Sequence, residues 1–152
     1  MADRTQQEQA SPAVQKRVRD NFDRQGLMIR LGARLAHVGP RRVHIAPPVC
    51  PEVSQQRDYV HAGATSAIAD SAGGCAVLTL FPEDSEVLSA EYRINLPAPA
   101  VGDHIEAVGT VLRSGRTPTV CQVEAYGVQG DGERRRVANG QQTLMRVSRS
   151  AE

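Results

Sequence analysis

The sequence predicts an α+β domain in which one antiparallel sheet wraps around a single long helix. A stretch rich in Ala, Gly, Ser and Thr, residues 61–81, has the length of one buried helix. After it, apolar residues recur at every second position, as in strands, and short Gly- and Pro-containing turns separate the segments. Strands joined by short turns pair antiparallel, and the helix has to cover the apolar face of such a sheet.

The segment before this helix begins with a tail and a first helix. Residues 1–10 are polar and are expected to form a flexible tail, so that a single domain covers residues 11–152. Ser11 followed by Pro12 is typical of a helix N-cap and the first helical position, and the helix is expected to end near Gly26. An apolar stripe recurs at every fourth position of this helix: Val14, Val18 and Phe22.

Six strands are predicted from short apolar runs or from alternation. The first two runs are separated by Gly39-Pro40, and the other four follow the long helix. The predicted strands are 28–38, 42–49, 88–96, 105–111, 120–128 and 134–147. The buried face of the third strand is expected to consist of Leu88, Ala90, Tyr92, Ile94 and Leu96.

Composition and charge argue against several classes of function. The 18 basic and 17 acidic residues leave a formal net charge of +1, and aromatic residues make up only 3%, so a nucleic-acid binder is not expected. The three cysteines are far apart and lack a CxxC spacing. Neither a disulfide framework nor a zinc site is therefore predicted, and a reduced, cytoplasmic setting is expected. The polar N-terminus shows no secretory signal.

Asp70 is the one formally charged residue in the stretch 61–81. An aspartate near the middle of a membrane-spanning helix costs roughly 2.5–3.5 kcal/mol, so a buried helix of a soluble protein without membrane contact is predicted instead. No Lys or Arg stands three or four positions away to pair with this carboxylate. An unpaired carboxylate on a buried helix is costly, and it is therefore expected to be compensated from elsewhere in the fold or to be functional.

The predicted N-terminus of the long helix carries His61, Ala62 and Gly63. His61 is expected chiefly to cap or pack against the helix. The backbone N–H groups of Ala62 and Gly63 lie in the first turn, where they lack partners within the helix and point toward any anion placed there. These two N–H groups are candidate donors of an oxyanion hole.

The order and spacing of these residues resemble the hotdog thioesterase superfamily, in particular its phenylacetate-degradation (PaaI-type) and 4-hydroxybenzoyl-CoA thioesterase branch. The resemblance is carried by Gln55, by His61-Ala62-Gly63 where the family has His-Gly-Gly, and by Asp70 nine residues after the histidine. A strand that ends in a Pro-Ala turn, residues 89–100, and an R-x-G-R hairpin, residues 113–116, add to it. The sequence departs from the family pattern at Ala62, which stands where the family has the first glycine. Alanine keeps the backbone N–H but adds a methyl group to the thioester pocket.

The resemblance implies a hotdog fold and hydrolysis of an acyl-CoA thioester without a metal or an organic cofactor. The Ala62 N–H, helped by the Gln55 side chain, would polarise the thioester carbonyl, and Asp70 would act as general base on water or as nucleophile. The sequence leaves these two roles of Asp70 open. By the same resemblance, the residues expected to contact the substrate or the attacking water are His61, Gly63, Ser89, Arg113 and Arg116.

Other interpretations remain open on the sequence. A hotdog enoyl-CoA hydratase or dehydratase typically uses an Asp–His pair, for which His61 is poorly placed nine residues before Asp70 on one helix. A non-catalytic acyl-CoA-binding module would bind the ligand without needing Asp70 chemically. For Arg113 and Arg116, a solvated hairpin is as good an interpretation as contact with coenzyme A phosphates. The acyl group itself is not specified by the sequence.

A homo-oligomer is expected from helix geometry and from the resemblance. Ala62 and Asp70 are eight residues apart, which is about 12 Å along a helix axis. An oxyanion donor and a base that act on one carbonyl must each lie roughly 3 Å from the reacting groups. Two antiparallel helices related by a two-fold axis bring Asp70 of one chain to Ala62 of the other. A homodimer with shared active sites, or a homotetramer built from it, is therefore predicted.

Overall fold

The fold is taken from a computed structural model that describes residues 8–149. Within this part of the chain, three helices, α1 to α3 in chain order, span Pro12–Phe22, Gly26–Arg30 and Ala62–Leu78. Six strands, β1 to β6, span Arg34–Gly39, Arg42–Ala46, Ser85–Asn95, His104–Ser114, Pro118–Val128 and Arg134–Ser148, and a 3-10 turn covers Pro51–Val53.

The six strands form one antiparallel sheet in the order β1-β2-β4-β5-β6-β3, and α3 packs against its inner face. The predicted architecture, an antiparallel sheet around one long helix, is confirmed. One predicted neighbour relation is wrong, because β3 does not form a hairpin with β4 but pairs with β6 at the edge of the sheet. The connection 96–103 contains Pro97 and Pro99, which cannot donate to a strand ladder and so oppose a tight hairpin.

Helix α3 lies in the core because its small residues let the sheet approach closely. Its buried residues are Thr65, Ile68, Ala69, Ala72, Gly73, Cys75, Ala76, Val77 and Leu78. The closest approach is at Gly109 of β4, where an added Cβ would overlap the backbone of Ala72. Only glycine fits between the strand and the helix at this position.

Helix α1 agrees with its sequence pattern. The Ser11 hydroxyl caps the helix by accepting the Val14 N–H at 3.3 Å, and Val18 and Phe22 are buried. The predicted end near Gly26 is late by about one turn, since the cap residue is Asp23.

The first predicted strand starts too early, because residues 26–30 form the short helix α2. Met28 is buried, whereas Leu27 and Ile29 on either side of it are exposed. Gly32 follows the helix with a φ of +64°, a conformation that favours glycine and commonly ends helices. The strand β1 therefore begins only at Arg34.

Strand β3 is mostly exposed in the chain, so the prediction of a half-buried strand with an apolar inner face is wrong. A register shift lies between Ser89 and Glu91, and such a bulge changes which residues face the core. Leu88 is 62% exposed and Tyr92 is 48% exposed, while Val87 and Ser89 contact α3. The strand is also an edge of the sheet, so one side of its backbone has no partner strand within the described residues.

At the N-terminus, residues 1–7 of the predicted tail lie outside the described residues. Ala10, at the end of that segment, is buried, and its N–H donates to the Val38 carbonyl at 2.9 Å. None of the helices in residues 8–149 combines the length and the hydropathy that crossing a membrane requires.

Candidate active site

The N-terminus of α3 presents one free backbone donor. His61 is the N-cap, and its Nδ1 accepts the Gly63 N–H at 2.8 Å, which confirms the capping role predicted for this histidine. The His61 N–H in turn donates to the Val53 carbonyl at 2.8 Å. Ala62 is the first helical residue and is exposed, and its N–H has no acceptor among residues 8–149. Of the two predicted oxyanion donors, the Ala62 N–H is therefore free, whereas the Gly63 N–H is engaged by the cap.

Gln55 lies on a tight turn directly before α3. The turn is closed by a bridge between Ser54 and Val60 and by the Gln55 N–H, which donates to the Tyr59 carbonyl at 2.8 Å. The side-chain oxygen of Gln55 accepts the Arg57 N–H. Its side-chain amide NH2 has no acceptor in the described part of the chain, and the glutamine can therefore donate to a ligand.

A cleft of about 470 Å³ unites these groups. It is lined by the turn, by the first residues of α3 and by the proline-containing connection after β3: Gln55, Gln56, Tyr59, Val60, His61, Ala62, Thr65, Leu96, Pro97, Ala98, Pro99 and Ala100. The structure thus brings together the predicted site residues Gln55, His61 and Ala62. Their shared surface is a concave pocket that offers hydrogen-bond donors from a backbone amide and a side-chain amide.

A second cleft of about 280 Å³ lies on the other side of His61 and is mainly apolar. Its walls come from α2, from the 3-10 turn and from the first two turns of α3: Leu27, Leu31, Glu52, Val53, Ser54, His61, Gly63, Ala64 and Ala67. His61 lines both clefts, and Gly63 lines only this second one. The helix N-terminus therefore borders two clefts, with His61 lining both.

Asp70 lies in the middle of α3 and is held by two neutral side chains. The Ser89 hydroxyl donates to Asp70 Oδ1 at 2.5 Å, and the Gln142 side-chain amide donates to the same oxygen. The amide also lies 2.9 Å from Ser89 Oγ and 3.3 Å from the Asp70 carbonyl. No Lys or Arg within residues 8–149 forms an ion pair with Asp70. The compensation expected for this carboxylate comes from neutral hydrogen bonds.

Gln142 was not singled out by sequence reasoning, although it is only 1% exposed. It lies on β6, where Gln141 and Gln142 are consecutive and the alternation of apolar residues is weak. Two adjacent residues of one type point to opposite faces of a strand, and the pattern does not show which one faces the core. The pairing of Gln142 with Tyr92 of β3 and Cys121 of β5 places it on the helix side.

The chain keeps Asp70 apart from the Ala62 N–H. Asp70 lines neither cleft, and the two residues are separated by eight positions of one helix, about 12 Å along its axis. Ser89 contacts Asp70 and does not line either cleft. Arg113 and Arg116 are exposed at the β4–β5 turn and line neither cleft.

The fold has counterparts among solved structures. A thioesterase family protein from Silicibacter pomeroyi is 38% identical, with a TM-score of 0.85 over 89% of this chain and 98% of the other chain. This chain belongs to the thioesterase superfamily. The family model described as "Thioesterase superfamily" matches residues 58–132, which include His61, Ala62 and Asp70. No curated protein sequence matches the chain significantly.

More distant members of the comparison share the hotdog fold. The PaaI protein from the phenylacetic acid degradation operon of Escherichia coli is 16% identical, with a TM-score of 0.77 over 90% of this chain and 95% of its own. A thioesterase from Haemophilus influenzae is 18% identical, with a TM-score of 0.75 over 87% of this chain and 90% of its own. At these identities the similarity is one of fold. The hotdog architecture expected from the resemblance is thereby confirmed.

In this thioesterase-superfamily chain, the buried cysteines are not suited to nucleophilic chemistry. Burial, with a smaller effect of the Asp70 charge, raises the pKa of the Cys75 thiol to about 12. Burial also raises the pKa of Cys121 to about 12. A thiol with such a pKa contributes almost no thiolate at neutral pH. Within residues 8–149, no three His, Cys, Asp or Glu side chains cluster as a metal ligand set.

Proposed function

We propose that this protein hydrolyses acyl-CoA thioesters to a free acid and coenzyme A. The observation that carries the proposal is the free N–H of Ala62, a residue that lines a cleft. The same chain presents Asp70, a carboxylate held by hydrogen bonds alone. Membership of the thioesterase superfamily supports thioester hydrolysis as the reaction type.

In the proposed mechanism the thioester carbonyl oxygen accepts the Ala62 N–H and the Gln55 side-chain amide. Both donors are stationary before the reaction, and they stabilise the negative charge that develops on this oxygen. Asp70 removes a proton from water while the water oxygen attacks the carbonyl carbon. The tetrahedral intermediate then expels the coenzyme A thiolate, which is protonated to the thiol. In the nucleophilic variant, an Asp70 oxygen attacks the carbonyl carbon, and the C–S bond breaks so that the coenzyme A thiolate leaves and is protonated. Water then hydrolyses the resulting mixed anhydride to the free acid and the Asp70 carboxylate.

The geometry favours hydrolysis over hydration of an enoyl-CoA. His61 Nδ1 is bonded to the Gly63 N–H of its own helix, and the histidine lies a full nine positions from Asp70. An Asp–His pair acting on one substrate therefore has less support than an oxyanion donor with a separate base.

We further propose that each active site is shared between two copies of the chain in a homodimer, which a homotetramer can contain. The Ala62 N–H and Asp70 are too far apart on α3 to act on one carbonyl within a chain. Two α3 helices that lie antiparallel across a two-fold axis remove this separation. The exposed edge strand β3 supports the proposal, because Leu88, Tyr92 and the following Leu96 leave an apolar surface that a second copy would cover.

The substitution Asp70→Asn tests the chemistry. Asparagine keeps an oxygen that can accept from Ser89 and Gln142, so the protein is expected to fold, whereas turnover of acyl-CoA should fall at least about 100-fold. Free-thiol release from a panel of aryl-, short- and medium-chain acyl-CoA esters measures the rate. Asp84→Asn, which changes an exposed carboxylate, is the matched control and should leave the rate unchanged. A folded Asp70→Asn protein with near-normal turnover contradicts the mechanism, and a wild type that binds acyl-CoA without releasing thiol indicates a binding module.

A mixing experiment tests the shared site. Asp70→Asn and Ala62→Pro chains, each inactive alone, are refolded together, and heterodimers are isolated by two different affinity tags. Each heterodimer contains one site with both the intact N–H and the intact carboxylate, so it should show about half of the wild-type activity per dimer. Pure heterodimers without activity, or a fully active monomer, would refute the shared site.

A further inference from the structure

The buried side chain of Gln142 forms hydrogen bonds that filling its space in the core would not require. The side chain is 1% exposed, and its oxygen has no hydrogen-bond partner in the described residues. Burying an unsatisfied polar atom costs about 1–3 kcal/mol. An apolar side chain of similar volume would fill the same space without this cost. The stabilising contacts of Gln142 are those of its NH2 group, and they converge on Asp70 and Ser89.

The two carboxylate oxygens of Asp70 differ in the hydrogen bonds that they accept. Both the Ser89 hydroxyl and the Gln142 amide donate to Oδ1. Among residues 8–149, no donor contacts Oδ2. One oxygen of the carboxylate is therefore anchored by two hydrogen bonds, and the other keeps its lone pairs available.

Gln142 also determines the direction of the Ser89 hydroxyl. The amide donates to Ser89 Oγ at 2.9 Å, so the single hydroxyl proton of Ser89 is left to point at Asp70 Oδ1. A serine has only one O–H proton to donate. In this arrangement Ser89 orients the carboxylate and has no second proton for an attacking water.

The absence of a side chain at Gly73 of α3 leaves room for the side chain of Gln142. Gly73 lies one turn after Asp70 on α3, and an added Cβ at this glycine would overlap the side-chain oxygen of Gln142. The position of the amide thus depends on a glycine in the helix as well as on the strand that carries it.

We infer that Gln142 is a positioning residue of the proposed thioesterase, which together with Ser89 anchors Asp70 Oδ1 so that Oδ2 is the oxygen that reacts. The inference rests on the proposed function. Oδ2 is then the atom that takes the proton from water, or that attacks the thioester carbonyl in the nucleophilic variant. A displacement of about 1 Å at a reacting group can reduce a rate about 100-fold, which is why such an anchor matters.

The test compares Gln142→Met, which keeps the length of the side chain but removes the donors, with Gln141→Met on the opposite face of β6. Gln142→Met is expected to lower kcat about 10- to 100-fold, with KM and the Kd for a non-hydrolysable thioether analogue of acyl-CoA changed less than about twofold. Gln141→Met should retain wild-type kinetics. Folding of each variant is checked by circular dichroism and by its midpoint in urea.

A double-mutant cycle separates positioning from a merely structural role. In the Asp70→Asn background, Gln142→Met should cause no further loss of the residual rate, because its effect acts through the carboxylate. The same fold loss in both backgrounds would overturn the inference, as would wild-type kcat in a folded Gln142→Met protein. Full activity of Asp70→Asn alone would refute the proposed function, and this result does not depend on Gln142.

A second variant covers the case in which Gln142→Met does not fold. Gln142→Glu preserves volume and shape, but its side chain can donate to Asp70 Oδ1 only when protonated. One carboxyl proton replaces only one of the two amide donations, so its kcat per folded molecule should be reduced at neutral pH and should recover in part, relative to the wild type at the same pH, as the pH falls. A ratio of variant to wild-type kcat that stays at one across the pH range would overturn the inference.

Discussion

The substitution Ala62→Pro removes one hydrogen-bond donor and almost nothing else. Ala62 is the first residue of α3 and is exposed, and its N–H has no acceptor in the described part of the chain. Proline is favoured at the first helical position, because the N–H there is unused and the fixed φ suits the helix. His61 has φ −61° and ψ 137°, which lies in the extended region that a residue before proline prefers. The variant is therefore expected to fold.

The expected magnitude follows from the role of the missing N–H. Loss of one oxyanion-hole donor costs about 10²- to 10³-fold in kcat, or about 2.7–4 kcal/mol of transition-state stabilisation. Because no native hydrogen bond or buried contact is lost, the free energy of unfolding should change by less than about 1 kcal/mol. A large loss of rate without a loss of stability is the signature of a missing donor.

The assay is free-thiol release from acyl-CoA at saturating substrate, with urea unfolding measured on the same preparations. Ala62→Gly is the matched control, because it keeps the N–H and removes only the methyl group, and it should retain activity within a few-fold. A folded Ala62→Pro enzyme with wild-type kcat would refute the reasoning and would show that the carbonyl is polarised elsewhere. An inactive Ala62→Gly enzyme would show that the methyl group matters and not the N–H.

Three further predictions concern the core around the site. Gly73→Ala should displace the glutamine amide beside it, lowering the free energy of unfolding by about 1–3 kcal/mol and kcat with it; wild-type values in urea unfolding and turnover would contradict the close contact. Thr65 is fully buried with an unpartnered hydroxyl, so Thr65→Val should be neutral or stabilising by up to about 1 kcal/mol, and a lower urea midpoint would reveal a hidden hydrogen bond. Cys75 and Cys121, with pKa values raised to about 12, should resist iodoacetamide at pH 7.5 in the native protein, while the half-buried Cys50 reacts. Mass spectrometry should detect one label before denaturation and three after it, and rapid double or triple labelling of the native protein would contradict the burial.

Features of the chain that depend on neighbours in sequence were predictable. The Ser11 cap follows from residues within one helical turn. The N-terminus of α3 at His61 follows from equally local signals. The isolation of Asp70 along α3 was also visible, since charge partners three or four positions away can be read directly from the sequence. These signals singled out the helix, its two N-terminal N–H groups and its one carboxylate as candidate parts of a site.

Features that depend on pairing between distant segments needed the tertiary structure. Strand β3 joins β6 and not β4, and the bulge after Ser89 interrupts its alternation, so that Leu88 before the bulge is exposed while Tyr92 after it pairs with Gln142. The residue pattern along one strand contains no information about either feature. Residue Gln142 contacts Asp70 from 72 positions away, and the register of β6 decides which of the two adjacent glutamines makes this contact.

The sequence by itself thus determined most of the helices and strands and where the candidate site residues lie along them, because helix caps, period and local charge act over a few residues. Only the tertiary structure decided that Asp70 is anchored through Oδ1 by Ser89 and Gln142 and that Ala62 lines a cleft that Asp70 does not line. The physical reason is that hydrogen-bond geometry depends on ångström-scale placement of segments far apart in the chain. Sequence periodicity specifies only the face on which a side chain lies.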